Sequence, residues 1–172
     1  MQKEISATII TIGNELLIGQ VVDTNSAFMS KVLNKTGVVV KRKIAIADNM
    51  AEIKKALDAE INQVQIILIT GGLGPTSDDV TKQTLCTYFK SEMVVNKRAL
   101  QHVKNLYEKV YKKSLNPVNL KQAEVPAACK VILNKRGSAP CMQFEKGRSM
   151  IFSLPGVPYE MEGLMPDIIG VI

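Results

Sequence analysis

The chain contains no tryptophan, a single histidine and only three cysteines among its 172 residues. One histidine excludes a metal site built from several histidines. The three cysteines lack Cys-x-x-Cys spacing and are odd in number, so neither a zinc knuckle nor a disulfide framework is expected. No apolar run approaches the ~18 residues of a membrane span, and the first four residues do not open a signal peptide. We therefore expect a cytoplasmic protein with no membrane partner.

What the chain does contain is enough apolar sequence for one core. Hydrophobic residues make up 46% and charged residues 22%, which is the composition of a globular domain and not of a disordered chain. At roughly 150 residues per domain, the length predicts a single domain over residues 1–172.

Positive charge is concentrated in residues 97–148, here called the basic segment. It holds twelve basic and three acidic side chains, whereas residues 1–96 hold ten of each. Such a field attracts phosphates or nucleic acid, so nucleic-acid binding is a third functional hypothesis. We favour a solvated helix face, because no aromatic residues alternate with the basic ones as they do on strand-binding surfaces.

Short β-branched runs alternate with segments of helical spacing. Strands are predicted at Ser6–Ile12, Val38–Ile46 and Gln65–Thr70, and a helix over Ser26–Leu33 with Asn25 as its cap. Further helices are expected from Asp48 or Asn49, from near Asp78, over Lys97–Lys113 and over Asn116–Ala123, and a hairpin over Met142–Leu154. The alternation predicts an α/β fold with a mostly parallel sheet and a small hairpin.

Acidic side chains follow each of the three predicted parallel strands. Glu15 follows the first, Asp48 the second, and Asp78 with Asp79 the third. Ligands of parallel sheets lie at the carboxyl ends of the strands, so these acids are expected on one rim. Asp48 and Asp78 are also good helix N-caps, which is the competing interpretation for those two.

The loop after the third strand has the composition of a phosphate cradle. Gly71, Gly72 and Gly74 would let the backbone approach a phosphate, and Thr76 adds a hydroxyl. The loop is neither a Walker A sequence nor Gly-x-Gly-x-x-Gly, and a plain tight turn would explain it equally well. Carboxylates beside phosphates need a cation between them, which predicts a divalent metal such as Mg²⁺.

Several blocks in order resemble the N-terminal domain of the CinA (competence/damage-inducible protein) family, within the MogA/MoaB-like molybdopterin-binding superfamily. They are Gly13–Leu17, Asp23–Asn25, Asp48-Asn49, Gly71–Thr76, Asp78–Thr81, Asn119 with Gln122-Ala123, and Leu154–Pro158 with Glu160-Met161. The resemblance implies a three-layer α/β/α fold and metal-dependent ADP-ribose pyrophosphatase activity. The alternative is a molybdopterin- or nucleotide-binding module without catalysis, and the resemblance implies a homo-oligomer.

The resemblance also implies roles for individual residues. Glu15, Asp48 and Asp79 match acidic catalytic positions, with Glu15 and Asp79 as metal ligands and Asp78 as a further candidate. The substrate- or phosphate-binding positions would be Gly71, Gly72, Gly74, Thr76, Asn25, Ser138, Pro155 and Gly156. Ser138 stands where the family commonly has threonine, and Cys141 where it usually has glycine.

Family members commonly continue into a nicotinamide-mononucleotide deamidase domain. That activity is not assigned to this chain, which ends at Ile172. The apolar ending Ile168–Ile172 is untypical of a solvated tail, so we expect the natural protein to be longer.

Overall fold

A mostly parallel six-stranded sheet forms the centre of the molecule, in the order β2-β1-β3-β8-β7-β6. The computed structural model describes residues 4–73, 80–110 and 112–172. The strands are β1 Ser6–Ile12, β2 Val39–Ile46, β3 Ile66–Thr70, β4 Met93–Val95, β5 Glu124–Pro126, β6 Lys130–Ile132, β7 Cys141–Lys146 and β8 Ser149–Leu154. The helices are α1 Asn14–Leu17, α2 Thr24–Lys35, α3 Met50–Glu60, α4 Thr81–Tyr88, α5 Lys97–Asn105, α6 Pro117–Leu120 and α7 Pro158–Ile169.

The carboxyl ends of four parallel strands lie at one level. Thr11 of β1 pairs with Thr70 of β3, and Thr70 pairs with Leu154 of β8. On the other side of β1, Ile12 pairs with Ile46 at the end of β2. This register brings the loops that follow β1, β2, β3 and β8 to one edge of the sheet, where ligands of such sheets bind.

The predicted hairpin is present and forms part of the main sheet. β7 and β8 are antiparallel, and β8 also pairs in parallel with β3. The last parallel strand, β8, is therefore also one arm of the hairpin. A separate two-stranded antiparallel sheet consists of β4 and β5.

Helices cover both faces of the sheet, which confirms the three-layer fold. On one face, Met29 and Leu33 of α2 pack with Met161 and Leu164 of α7 in one buried cluster. On the other face, side chains of α3 and α4 join a second buried cluster with β1 and β3. Because both faces are covered, β1 and β3 are buried along their whole length, as expected of central parallel strands.

Two helix boundaries differ from the prediction. The N-cap of α2 is Asp23, whose carboxylate accepts from the Ser26 amide, so the prediction of Asn25 as the cap was wrong. The basic helix ends at Asn105 and continues only as a single π-helical turn, Leu106–Val110. The predicted helix start near Asp78 lies outside the described residues. Within those residues, no helix is long and apolar enough to span a membrane.

Candidate functional site

A cavity of about 400 Å³ lies at the carboxyl edge of the parallel strands. The loops after β1, β2, β3 and β8 all contribute to its wall. The lining residues are Thr11–Gly13, Glu15, Leu16, Val21–Asn25, Asp48, Thr70–Leu73 and Gly156–Pro158. Glu15, Asp48 and the glycines of the β3 loop therefore lie around one space, as the topology predicts.

A hydrogen-bond network centred on Asn25 joins three of these loops. The Asn25 amide nitrogen donates to the Gly156 carbonyl (2.8 Å) and to Thr70 Oγ1 (3.2 Å). Thr70 Oγ1 in turn donates to the carbonyl of Pro155 (2.8 Å). Since the Thr70 proton is used in that bond, its oxygen must accept from Asn25, which fixes the orientation of the Asn25 amide. Asn25 therefore connects the start of α2 to the loops after β3 and β8 and does not cap a helix.

Asp23 links the start of α2 to the end of β1. One carboxylate oxygen accepts from the Ser26 amide (2.9 Å), and the other accepts from the Thr11 hydroxyl (3.1 Å). Neither Asp23 nor Thr11 was assigned to the site from the sequence. The signal for Asp23 was its position three residues before Ser26, which is the spacing of an N-cap.

The floor of the cavity is the backbone of Gly71 and Gly72. Their φ angles are +113° and +64°, in the region that favours glycine. A side chain at Gly71 would collide with the carbonyl oxygen of Ile12, and one at Gly72 with the hydroxyl of Thr81. Both glycines are therefore required by the local geometry; Gly71 is buried and its amide donates to the Leu154 carbonyl (3.3 Å), whereas Gly72 is half-buried at the cavity.

Two acidic side chains border this floor. The Asp48 amide donates to the side-chain oxygen of Asn14 (3.2 Å), which ties the β2 loop to the β1 loop. Asp48 Oδ1 lies 3.3 Å from where a Gly72 Cβ would stand. Glu15 is solvent-exposed, and its carboxylate folds over Gly13. Carboxylates beside an open backbone are the arrangement that the cation hypothesis requires.

The donor set suits Mg²⁺ bound together with a phosphate. Among residues 4–73, 80–110 and 112–172, no three Asp, Glu, His or Cys side chains gather closely enough to hold a metal alone. Mg²⁺ is typically held by one or two carboxylates plus phosphate oxygens, and within the described residues Glu15 can supply one such carboxylate. The predicted residues Gly74, Thr76, Asp78 and Asp79 lie outside the described part of the chain.

Ser138 and Pro155 do not line the described cavity. Pro155 is buried beneath it and acts through its carbonyl, which accepts from Thr70. Ser138 is half-buried in the segment 134–140. That segment packs on α7, where Asn134 donates to Glu160 (2.7 Å). The segment 134–140 therefore contacts α7, whose start borders the cavity, but does not itself line the cavity.

Burial raises the pKa of the Glu160 carboxyl, and the bond from Asn134 opposes that rise. Burial also raises the pKa of the Cys129 thiol, to about 11. A thiol with a raised pKa is protonated at neutral pH and is a poor nucleophile. We therefore assign Cys129 no nucleophilic role.

Comparison with known proteins identifies the family. The domain family described as "Probable molybdopterin binding domain" matches residues 8–171, nearly the whole chain. The chain belongs to this family. Among curated proteins, a CinA-like protein from Flavobacterium psychrophilum is 46% identical over 94% of the chain and 38% of its own length. A CinA-like protein from Cytophaga hutchinsonii is 45% identical over 98% of the chain and 40% of its own length.

Solved structures support the same assignment for the CinA-like domain. The protein CinA of unknown function from Thermoplasma acidophilum matches with a TM-score of 0.85 and 33% identity, covering 98% of both chains. The tungsten cofactor synthesizing protein MoaB from Pyrococcus furiosus matches with a TM-score of 0.65 and 18% identity over 99% of this chain and 93% of that chain, which shows a common fold. The chain spans about two fifths of the length of the two curated relatives.

Proposed function

We propose that this CinA-like domain binds a phosphorylated small molecule of the ADP-ribose type and hydrolyses its pyrophosphate bond with a divalent metal ion. The observation that carries the proposal is that Gly71 and Gly72 line the cavity beside the Asp48 carboxylate. Gly72 is half-buried and has no side chain, so a phosphate can approach its backbone. A carboxylate at the same place favours a cation between the two.

The proposed reaction adds water across the P–O–P bridge. A bond forms from the water oxygen to one phosphorus, the bridging bond to that phosphorus breaks, and AMP and ribose 5-phosphate leave. Asp48 borders the glycine floor, and in this proposal its carboxylate orients the water and takes its proton. Glu15 and, from the sequence pattern, Asp79 would hold the metal. When bound, the ion neutralises phosphate charge and makes water more acidic.

A second candidate function is binding without hydrolysis. The family is described as probable molybdopterin-binding domains, and the described residues alone supply no three-ligand metal site. In that case a pterin phosphate or a nucleotide occupies the same cavity, and Glu15 and Asp48 contribute to binding the ligand without taking part in catalysis. Nucleic-acid binding by the basic segment stays a third hypothesis, with no observation of the structure in its favour.

The test is ADP-ribose turnover by the purified chain with Mg²⁺, Mn²⁺ or Co²⁺, against the same reaction in excess chelator. AMP release is measured for the wild type, Asp79→Ala and Asp48→Asn. Asp167→Asn is the matched control, because this acid lies on α7 and pairs with Lys135, away from the cavity. Thermal unfolding of each variant checks that it is folded.

We expect metal-dependent AMP release that Asp79→Ala and Asp48→Asn each lose by about 100-fold or more, equivalent to roughly 3 kcal/mol of transition-state stabilisation. Asp167→Asn should keep wild-type turnover. Saturable binding of ADP-ribose without AMP release would favour the binding module over the hydrolase. If the chain neither binds nor hydrolyses ADP-ribose, the proposal is overturned.

A further inference from the structure

A groove of about 430 Å³ lies between α2 and α7, and it shares no lining residue with the cavity at the edge of the sheet. α2 and the residue after it form one wall, and α7 forms the other. The lining residues are Phe28, Val32, Lys35, Thr36, Glu162, Met165, Pro166 and Ile169. Five of these eight are apolar, so the groove presents mainly apolar surface.

Apolar residues occur on two sides of these helices. One side faces the sheet, where Met29 and Leu33 of α2 are fully buried. Phe28, Val32 and Ile169 lie at the edge of the same cluster but are only half-buried, and they line the groove. A helix at the surface of a domain needs apolar residues only toward its own core. The second set therefore indicates that another surface covers the groove.

The two walls of the groove carry opposite charges. Lys35 is exposed in the last turn of α2 and makes no ion pair within the described part of the chain. On α7, the Glu162 carboxylate lies 4.0 Å from Arg136 Nη1, which is a long ion pair. Arg136 Nη1 also donates to the carbonyl of Tyr159 (3.1 Å). Lys35 and Glu162 are therefore both accessible to a partner at the groove.

A second copy of the chain matches this pattern. A two-fold axis parallel to the groove places α2 of each copy over α7 of the other, so that a positive wall meets a negative wall twice. A two-fold axis across the groove would instead set like walls against each other, and like charges across an interface repel. The charges therefore favour one of the two face-to-face arrangements.

We infer that two copies of the chain associate through this groove, with their apolar linings in contact and Lys35 of each copy beside the second copy's Glu162. Contact between the linings removes apolar surface from water and supplies the affinity. Exposed ion pairs add little affinity, but they decide which orientation forms. The inference is independent of the proposed function, because the groove and the cavity share no lining residue.

The experiment exchanges the charges of the two walls. Sedimentation velocity over a concentration series measures the dimerisation Kd of the wild type, Lys35→Glu, Glu162→Lys and the double variant that carries both changes. Lys55→Glu is the matched control, because Lys55 is exposed on α3, outside the groove, and the net charge changes equally. Thermal unfolding of each variant checks that it is folded.

We expect the wild type to form a dimer, twice the 18.9 kDa mass of the chain. Lys35→Glu and Glu162→Lys should each weaken dimerisation by about tenfold or more, because each change places two like-charged pairs across the two-fold axis. The double variant should dimerise as the wild type does, since its walls are again opposite in charge. Lys55→Glu should leave the Kd unchanged.

A second measurement uses the wild type alone. Carbodiimide coupling joins a lysine amine directly to a carboxylate that it touches. When isotope-labelled and unlabelled protein are mixed before coupling, a peptide pair from two different copies carries one label. We expect mass spectrometry to find Lys35 joined to Glu162 in such mixed pairs.

Three results would overturn the inference while leaving the proposed function standing. One is a wild type that stays monomeric or forms a trimer, because a two-fold contact gives a dimer. Another is a dimer that either single variant leaves intact, or that the double variant fails to restore. The third is a dimer in which Lys35 and Glu162 are never joined between copies, which would place the contact on a different surface.

Discussion

The cavity edge and the helical part of the basic segment use polar side chains in opposite ways. At the cavity edge, Asn25 and Thr70 bond to loops 131 and 85 residues away in the chain. In α5, Ala99 and Val103 face the core, while Lys97 and Arg98 are exposed. The first arrangement fixes the shape of a site, and the second keeps a helix solvated. A surplus of charge in the sequence is therefore a weaker sign of function than a few polar residues that reach across loops.

The largest loss of stability at the cavity edge is expected when one methyl group is added to the cavity floor. In Gly71→Ala the new Cβ would meet the backbone oxygen of Ile12, at a φ of +113°. Backbone cannot move aside as a flexible side chain can, so we expect unfolding free energy to fall by about 3 kcal/mol. Chemical denaturation measures this change.

Gly19 is the control for Gly71, because it also has a positive φ but a Cβ there would meet no neighbouring atom. Comparing the two substitutions separates the steric clash from the cost of the backbone conformation. Gly19 has a φ of +74°, and no atom lies within 4 Å of the position that a Cβ would take there. Gly19→Ala should therefore lose only about 1 kcal/mol, the cost of the unfavourable φ alone. If both variants lose the same unfolding free energy, the backbone at the β3 loop and the end of β1 can move apart enough to relieve the clash.

The next largest effect should come from Asn25→Asp. The substitution places a carboxylate oxygen against the Gly156 carbonyl, where the amide now donates. Two facing acceptors repel and are left without a donor, so we expect a loss of about 2 kcal/mol in unfolding free energy. Binding of phosphate ligands should weaken as well, because Asn25 also bonds to Thr70, which directly precedes Gly71.

Asn49→Asp is the matched control for that substitution. Asn49 only accepts, from the Glu52 amide (2.9 Å), as the N-cap of α3. Aspartate caps a helix as well as asparagine does, so this variant should keep wild-type stability. If Asn25→Asp is also neutral, the network does not hold the loops together.

Features set by residues close together in the chain could be predicted from the sequence, and contacts between distant residues could not. β1, β3 and the hairpin were predicted because apolar runs and turn residues lie next to one another in the chain. The acids Glu15 and Asp48 were placed on one rim because parallel strands end at one edge. The partner of Asn25 could not be predicted, since Gly156 lies 131 residues further on and nothing local marks a side chain that reaches that far.

Other misses have the same physical origin. The hairpin was predicted without its pairing to the sheet, because pairing of β8 with β3 is decided by how the roughly 80 intervening residues fold. The end of α5 at Asn105 was not predicted, because Lys104 to Lys113 continue a sequence that suits a solvated helix.

A smaller effect is expected where α7 meets the segment 134–140. Burial raises the pKa of Glu160 in the folded protein, so its protonated form favours folding. The stabilisation is complete below the unfolded pKa and is lost as the pH rises through the folded value. Glu160→Gln stays neutral and can still accept from Asn134. It should exceed the wild type in stability at pH 8 by less than about 1 kcal/mol, since solvent screens a half-buried group.

Thermal unfolding of both proteins between pH 4 and pH 8 checks this expectation. The two curves should converge at acid pH, where the wild-type carboxyl is protonated, and separate as the pH rises. A wild type that is more stable than Glu160→Gln at pH 8 would mean that the charged carboxylate is favoured in its site, contrary to the effect of burial.

The smallest effect is expected in the basic segment itself. Lys97 is exposed in the first turn of α5, a position where the helix dipole favours acids over bases. Lys97→Glu should therefore stabilise the protein by a few tenths of a kcal/mol, and AMP affinity should stay as in the wild type. Lys109→Glu, beyond the end of α5, changes the net charge equally without touching the helix start. If both variants weaken AMP binding to the same extent, the positive field of the segment attracts the ligand, and the two regions act together after all.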